Sequence, residues 1–424
     1  MTDRREFLVS GGRVSLAVSL AALGLTGSRY GDPPAARPDS AATRCAEPPS
    51  DREPGRALTL FLAGDVMTGR GIDQILPHSV DAVLHEPWVT DARDYVRLAE
   101  AATGPIPDEV GYGYVWGDAL AELQRAAPHA RVINLETAVT TSDEWWPGKG
   151  IHYRMHPANV PLLTAAGIDV TVLGNNHVLD WGYPGLHETL ASLRAAGLRT
   201  AGAGADRAMA SAPAIVDTSA GRVLVFSYGA EDAGVPPEWA AARNRAGVNL
   251  IHPDSAGARE VAEHVRGHRR VGDRVVLSVH WGGNWGYDVP ERHRAFAHML
   301  IDDGAVDVIY GHSSHHPRPM ELYRGRLILY GCGDFINDYE GIGGREEYRA
   351  ELTAMYFPTL ASDGTLHDLT MTPMRIRRFR LERAERDDAR WLAGRLDRES
   401  RRFGARVLLD DDHRLRLTET TRQP

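Results

Sequence analysis

Short apolar runs recur along this chain, and each stops at a polar residue. Leu58-Thr-Leu-Phe-Leu-Ala63 ends in Gly64-Asp65, and Arg131-Val-Ile-Asn-Leu135 ends in Glu136. Ile168-Asp-Val-Thr-Val-Leu173 ends in Gly174-Asn175-Asn176-His177, and Arg222-Val-Leu-Val-Phe-Ser227 in Tyr228-Gly229. Arg274-Val-Val-Leu-Ser-Val279 ends in His280, and Val306-Asp-Val-Ile-Tyr310 in Gly311-His312. Such runs predict strands buried on both faces. Between them, segments with a 3.6-residue period predict helices over 117–127, 159–166, 185–196, 255–266 and 291–303. Strand and helix in alternation predict an α/β fold around a parallel or mixed sheet. After Leu322 the pattern changes. A hairpin turn at 323–326, strands over 351–357 and 366–379, and a last helix over 386–402 are expected.

The first fifty or so residues read differently. Arg4-Arg5-Glu6-Phe7-Leu8 and an apolar run from Val14 to Leu25 have the form of a twin-arginine-type signal over 1–27, too short for a comfortable membrane span. This predicts an exported or cell-envelope-associated protein. Residues 28–56, rich in Pro, Ala and charge, read as a linker. One large domain over 57–380 follows, then a C-terminal helix and tail over 381–424. Apolar content of 43% suits a soluble protein, and a net charge of −9 gives no reason to expect nucleic-acid binding. Lys149 is the single lysine among 48 Lys and Arg residues, which reads as coding bias. A disulfide between Cys45, in the linker, and Cys332, in a strand context, is not expected.

In α/β sheets, sites assemble beyond the carboxyl ends of strands, where loops converge. Five predicted strands end at ligand-capable residues, and together these look like one constellation. Asp65 suits a hard divalent ligand, and equally a helix cap. Alternation puts Asn134 and Glu136 on one face; Glu136 is either a ligand, a general base or a solvated strand end. Asn176 can ligate through its amide oxygen, while Asp180 can orient His177 through one ring nitrogen. His280 ends a near-continuous apolar strand. His312, His315 and His316 crowd one loop, and neutral imidazoles suit Zn, Fe or Mn. Carboxylate, amide and imidazole from five loops suit one or two divalent metals that activate water for hydrolysis. The aromatic residues Tyr112, Tyr114, Trp116, Trp145 and Trp146 either pack in the core or line a groove. No Walker loop, Gly-x-Ser-x-Gly elbow or dinucleotide fingerprint is present.

From Leu58 to Asp338 these residues resemble the CapA family, whose domain is similar to the calcineurin-like metallophosphatases. The resemblance rests on Gly64-Asp65-Val66-Met67 with Arg70, Asn134-Leu135-Glu136, Leu173-Gly-Asn-Asn-His-Val-Leu-Asp-Trp-Gly182, Val279-His280-Trp281-Gly282, Gly311-His312-Ser-Ser-His315, and Tyr330-Gly-Cys-Gly-Asp334-Phe335. It implies a four-layer α/β/β/α sandwich of the metallo-dependent phosphatase kind. It also implies metal ligands at Asp65, Glu136, Asn176, His280, His312 and His315, with His177 and Asp180 in the catalytic role. Met67 stands where the phosphatases have a histidine, Glu136 where they have an aspartate, and Asn284 where many relatives have a glutamate. One extra residue separates the paired histidines of the fifth motif. These departures make a single metal on Asp65, Asn176, His280 and His312 an alternative to a full two-metal site. The resemblance implies a role in making or exporting poly-γ-glutamate capsule, with an anionic polymer or small molecule as substrate and capsule-synthesis membrane proteins as partners. Two readings stay open: a metal-dependent hydrolase of a phosphoester or γ-glutamyl amide, and a non-catalytic polymer-binding or assembly factor.

Overall fold

A computed structural model describes residues 57–419; the expected signal and linker, with Cys45, lie outside the described residues. Two principal sheets carry the fold. The larger has its path in the order Ala405–Leu409, Leu415–Glu419, Leu366–Arg377, Leu352–Leu360, Leu58–Val66, Ala130–Leu135, Val170–Val172 and Arg199–Ala201. The smaller runs Met320–Tyr323, Arg326–Leu329, Val308–His312, Arg274–His280, Gly221–Gly229 and Ala214–Thr218. The consecutive strands Leu58–Val66, Ala130–Leu135, Val170–Val172 and Arg199–Ala201 are parallel, as are Gly221–Gly229, Arg274–His280, Val308–His312 and Arg326–Leu329. The apolar runs are thus explained: a parallel strand with both faces covered has no polar face to keep.

Alternate residues of one strand feed different cores. Leu58, Leu60 and Leu62 join Val132, Val223, Val225, Val276 and Val308 in a cluster shared by both sheets. Phe61, Ala63, Ile133 and Leu135 point the other way, into a cluster with Leu186 and Leu193 of the Gly182–Ala195 helix. From the smaller sheet, Leu224, Phe226, Leu277 and Val279 pack on Val261 and Val265 of the Ser255–His268 helix and Phe296 and Leu300 of the Glu291–Asp302 helix. Burial on this scale stabilises at about 25 cal/mol per Å² of apolar surface removed from water. The Ser255–His268 helix starts where Asp254 accepts from the backbone N–H groups of Ala256 and Gly257, a side-chain cap.

The C-terminal segment read as helix and tail holds more. Its helix, Arg386–Ser400, is followed by Ala405–Leu409 and Leu415–Glu419, which extend the larger sheet: Leu415–Glu419 pairs with Leu366–Arg377, and Ala405–Leu409 with Leu415–Glu419. Ser400 Oγ accepts from the Met320 N–H at 3.0 Å, fastening that helix to the smaller sheet's edge. The strand expected over 366–379 turns at Arg378 and Phe379, both with φ of 55°, and returns as Arg380–Arg383.

Candidate metal centre

The larger sheet supplies the first carboxylates. Asp65 sits in the Leu58–Val66 strand, in register with Asn134 on one side and Asp334 on the other. Gly64 makes this possible, because a Cβ there would lie 1.8 Å from the Gly333 carbonyl oxygen. Behind it, the Tyr310 hydroxyl accepts from the Ala63 N–H at 3.2 Å and donates to the Ala63 carbonyl, tying the two sheets together one step from the site. Asn134 is the hub. Its Nδ2 donates to Asp65 Oδ1 at 2.8 Å and to Glu136 Oε2 at 3.0 Å, while its Oδ1 accepts from Asn175 Nδ2 at 3.0 Å.

The smaller sheet supplies the histidines. His280 and His312 end neighbouring parallel strands in direct register. Asp65, Glu136 and His280 each offer a ligand atom, and these atoms lie within 4.8 Å of one another; all three residues are buried. His280 Nε2 is 3.7 Å from Glu136 Oε1. His312 Nδ1 hydrogen-bonds Asp65 Oδ1 at 3.0 Å, and the Ser313 N–H donates to Asp65 Oδ2 at 3.2 Å. Among the described residues, three buried polar atoms here find no hydrogen-bond partner: Asn176 Oδ1, His280 Nδ1 and His312 Nε2. Buried polar atoms are ordinarily paired, so three orphans beside a carboxylate cluster fit residues that hold a divalent cation.

Electrostatics sharpen the picture. Burial works against ionisation of Asp65, yet the hydrogen bond and charge of His312 hold its carboxyl well below the usual range. Burial and the neighbouring charges of Asp65 and Asp334 push Glu136 well above it. Burial drives His280 down to about 3, leaving a neutral imidazole. A cation would relieve the crowding of carboxylates that raises Glu136.

His177 and Asp180 form a pair at the edge of this cluster. His177 Nδ1 lies 2.6 Å from Asp180 Oδ2, and its Nε2 lies 3.9 Å from Glu136 Oε1. Burial brings His177 down to about 4 despite the charge of Asp180. The ring is therefore neutral near pH 7, with its proton on Nδ1 facing the carboxylate and a lone pair on Nε2. Asp180 Oδ2 also accepts from the Tyr153 N–H at 2.7 Å, which fixes the carboxylate. Asn175 is structural: Nδ2 binds Asn134 and the Leu135 carbonyl, and Oδ1 accepts from the N–H groups of His177 and Val178.

His315 is placed differently from the other predicted ligands. Its Nδ1 pairs with Asp334 Oδ1 at 2.9 Å and its Nε2 with Asn284 Nδ2 at 2.9 Å, so both ring nitrogens are engaged. Burial is outweighed by Asp334, which holds this imidazole above its usual pKa. Met67 offers its sulfur to the Tyr339 hydroxyl at 3.6 Å.

A cleft of about 320 Å³ opens on the cluster, lined by Glu136, Asn176, His177, His280 and His315 at one end and by Trp285, Arg345, Arg375 and Arg377 further out. The aromatic residues weighed as a groove do not line it. Trp116 is buried in the core with Nε1 donating to the Leu162 carbonyl, and Tyr112, Tyr114 and Trp146 pack against the same cluster. Sequence reasoning missed the parts of Asn134, Lys149 and Asp334. The strand alternation that joins Asn134 to Glu136 was the available signal for the first.

The family of bacterial capsule synthesis proteins, PGA_cap, matches residues 59–339. A probable polyglutamine synthesis accessory protein of Mycobacterium tuberculosis is 49% identical over 364 residues, covering 85% of this chain and 96% of the relative. The capsule biosynthesis protein CapA of Bacillus anthracis is 26% identical over 297 residues, 70% of this chain and 63% of the relative. The PGA biosynthesis protein CapA of Bacillus subtilis is 30% identical over 208 residues, 48% and 52% of the two chains. With its motifs at the carboxyl ends of two sheets and this match across its central residues, the chain belongs to the bacterial capsule synthesis protein family PGA_cap.

Proposed function

We propose that this protein is a metal-dependent hydrolase of an anionic polymer or its small-molecule precursor, cleaving a phosphoester or a γ-glutamyl amide. The observation that carries the reading is the convergence of Asp65, Glu136 and His280 within 4.8 Å beside the His177–Asp180 pair. Asp65, Glu136 and His280 would hold the cation, with Asn176 and His312 turning their unpartnered atoms to it. When bound, a divalent cation supplies Lewis-acid polarisation and a water of lowered pKa. The chain's own residues do the rest. His177 presents a neutral Nε2 to the cleft, which can take a proton and pass it to a leaving group. Asp180 fixes the tautomer and stabilises the imidazolium that forms. The cleft carries Arg345, Arg375 and Arg377 together with Glu340, Glu346 and Glu351, a mixed lining whose arginines can pair with carboxylates of a bound chain.

The relatives named for capsule, PGA and polyglutamine synthesis support the polymer side of the reading. The sharing of three apolar clusters between helices and two facing sheets favours a four-layer α/β/β/α order. The Arg4-Arg5 motif favours action outside the cytoplasm, beside capsule-synthesis membrane proteins. A second reading, a polymer-binding assembly factor with one metal at most, is favoured by the full engagement of His315 and by Met67 at its position.

The test is elemental analysis of the full chain beside a His280→Ala, His312→Ala double variant. At least one equivalent of Mn, Fe or Zn in the wild type, lost in the variant, is expected; phosphoesters and γ-glutamyl amides are then screened. Metal-free protein after reconstitution with all three ions would refute the hydrolase and leave the assembly factor.

A further inference from the structure

Forty-seven of the chain's 48 basic Lys and Arg residues are arginine, and the one lysine is Lys149. Arginine stands at every other such position, and the surroundings of Lys149 supply a reason for the exception. Lys149 Nζ donates to Asp180 Oδ1 at 2.5 Å and to the Asn176 carbonyl, and it lies 3.4 Å from His177 Nδ1. The ammonium also sits 4.8 Å from the centroid of the Trp239 indole. Its side chain is 14% exposed. Acceptors that converge on one point suit a compact ammonium, whereas a guanidinium is planar, larger and presents its donors as a fork.

The three groups around Nζ belong to one loop, and that loop carries two cleft residues. Asn176 Oδ1 is buried without a hydrogen-bond partner among the described residues, and His177 Nε2 lies 3.9 Å from Glu136 Oε1. Asp180 divides its oxygens, Oδ1 to Lys149 and Oδ2 to His177 and Tyr153. The Trp146 N–H donates to the Asp180 carbonyl at 2.7 Å, so the segment that bears Lys149 is tied to the loop a second time. We propose that Lys149 is a positioning residue: by clamping the Asn176 carbonyl to the Asp180 carboxylate, it aims Asn176 Oδ1 and His177 Nε2 at the metal centre. Arginine cannot replace it. This inference rests on the metal-dependent reading above.

The experiment compares the full chain with Lys149→Arg and Lys149→Met by two measurements. Hydrogen exchange of the peptide spanning 174–182 reads the clamp without reference to metal, and titration with Mn²⁺ alone reads the metal centre. Both variants are expected to exchange at least tenfold faster in that peptide, with the two sheets unchanged, and to bind Mn²⁺ at least tenfold more weakly. Wild-type exchange or wild-type Mn²⁺ affinity in Lys149→Arg overturns the proposal, because a purely structural ion pair is one that arginine restores. If the wild type takes up no Mn²⁺, the metal reading fails on its own account, and the exchange comparison alone then decides the clamp: unchanged exchange refutes it.

Discussion

Asn134→Asp changes one atom of side-chain chemistry and almost no volume, so its cost isolates the hub described above. In the wild type Nδ2 donates to Asp65 Oδ1 at 2.8 Å and to Glu136 Oε2 at 3.0 Å. A hydrogen bond to a charged group contributes about 1.5–3 kcal/mol. The bond to Asp65 is of that kind, while burial and neighbouring charges favour a neutral Glu136, whose bond contributes about 0.5–1.5 kcal/mol. Losing both, and setting a third carboxylate between them, gives about 2–5 kcal/mol. Retention of a proton by one of the three carboxyls relieves part of this, so about 3 kcal/mol is expected. At an m-value of about 3 kcal/mol per M urea, the midpoint falls by about 1 M. The assay is urea unfolding with a chelator present, at pH 8 and at pH 5. A proton held more tightly by the folded state makes stability fall as pH rises, so the deficit must be larger at pH 8. A wild-type midpoint at pH 8, or a deficit that grows on acidification, would refute the account of Asn134 as the donor joining two carboxylates.

Three further outcomes are expected. Arg70 is buried against Glu86 at 3.1 Å and Asp338 at 2.5 Å; Arg70→Met strands two buried carboxylates and costs about 3–5 kcal/mol by chemical denaturation, and a loss under 1 kcal/mol would contradict the pairing. Gly64→Ala forces its Cβ against the Gly333 carbonyl, whereas Gly111→Ala meets nothing within 4 Å; the first should yield little soluble protein and the second should melt like wild type. Asp73 is buried, and burial pushes its carboxyl up to about 6 against the hydrogen bonds it accepts from His156, Val80 and Asn159. Its unfolded value is about 3.9. Because the folded state holds the proton more tightly, stability falls between about pH 4 and pH 6, by about 3 kcal/mol at most. That slope should flatten in Asp73→Asn, and an unchanged slope would assign it to another group.

Much of the site was legible because parallel strands advertise themselves twice, by an apolar run and by the residue that breaks it. Asp65, Glu136, His280 and His312 all stand at such breaks, and the structure brings them together. What the pattern could not carry is pairing between distant segments. Asp334 lies beside Asp65 only because Asp334–Ile336 runs parallel to the first strand. Lys149 reaches Asp180 across a loop with no periodicity of its own. Spacing alone also could not divide the labour of Asn175 and Asn176, since only the hydrogen bonds of Asn175 show that its amide is spent on holding the loop. The Arg93–Thr103 helix was missed, although Ala92, Tyr95 and Ala99 mark its buried face at helical spacing. The closing strands 405–409 and 415–419 are short and charged on one side, a pattern that reads as tail until a sheet edge accepts it.

The place of the first strand has a consequence for biosynthesis. Leu58–Val66 is an inner strand, flanked by Ala130–Leu135 and by Leu352–Leu360. The second flank is made roughly 290 residues later, which at translation rates of about 5–20 residues per second is roughly 15–60 s. For that time an apolar strand on the growing chain keeps one edge unpaired, the condition that invites pairing with another chain. Pairings so remote in sequence also slow folding. The nascent protein should therefore need a chaperone until Leu352–Leu360 has emerged, and truncations that end before residue 352 should aggregate even though they retain every metal-centre residue proposed above.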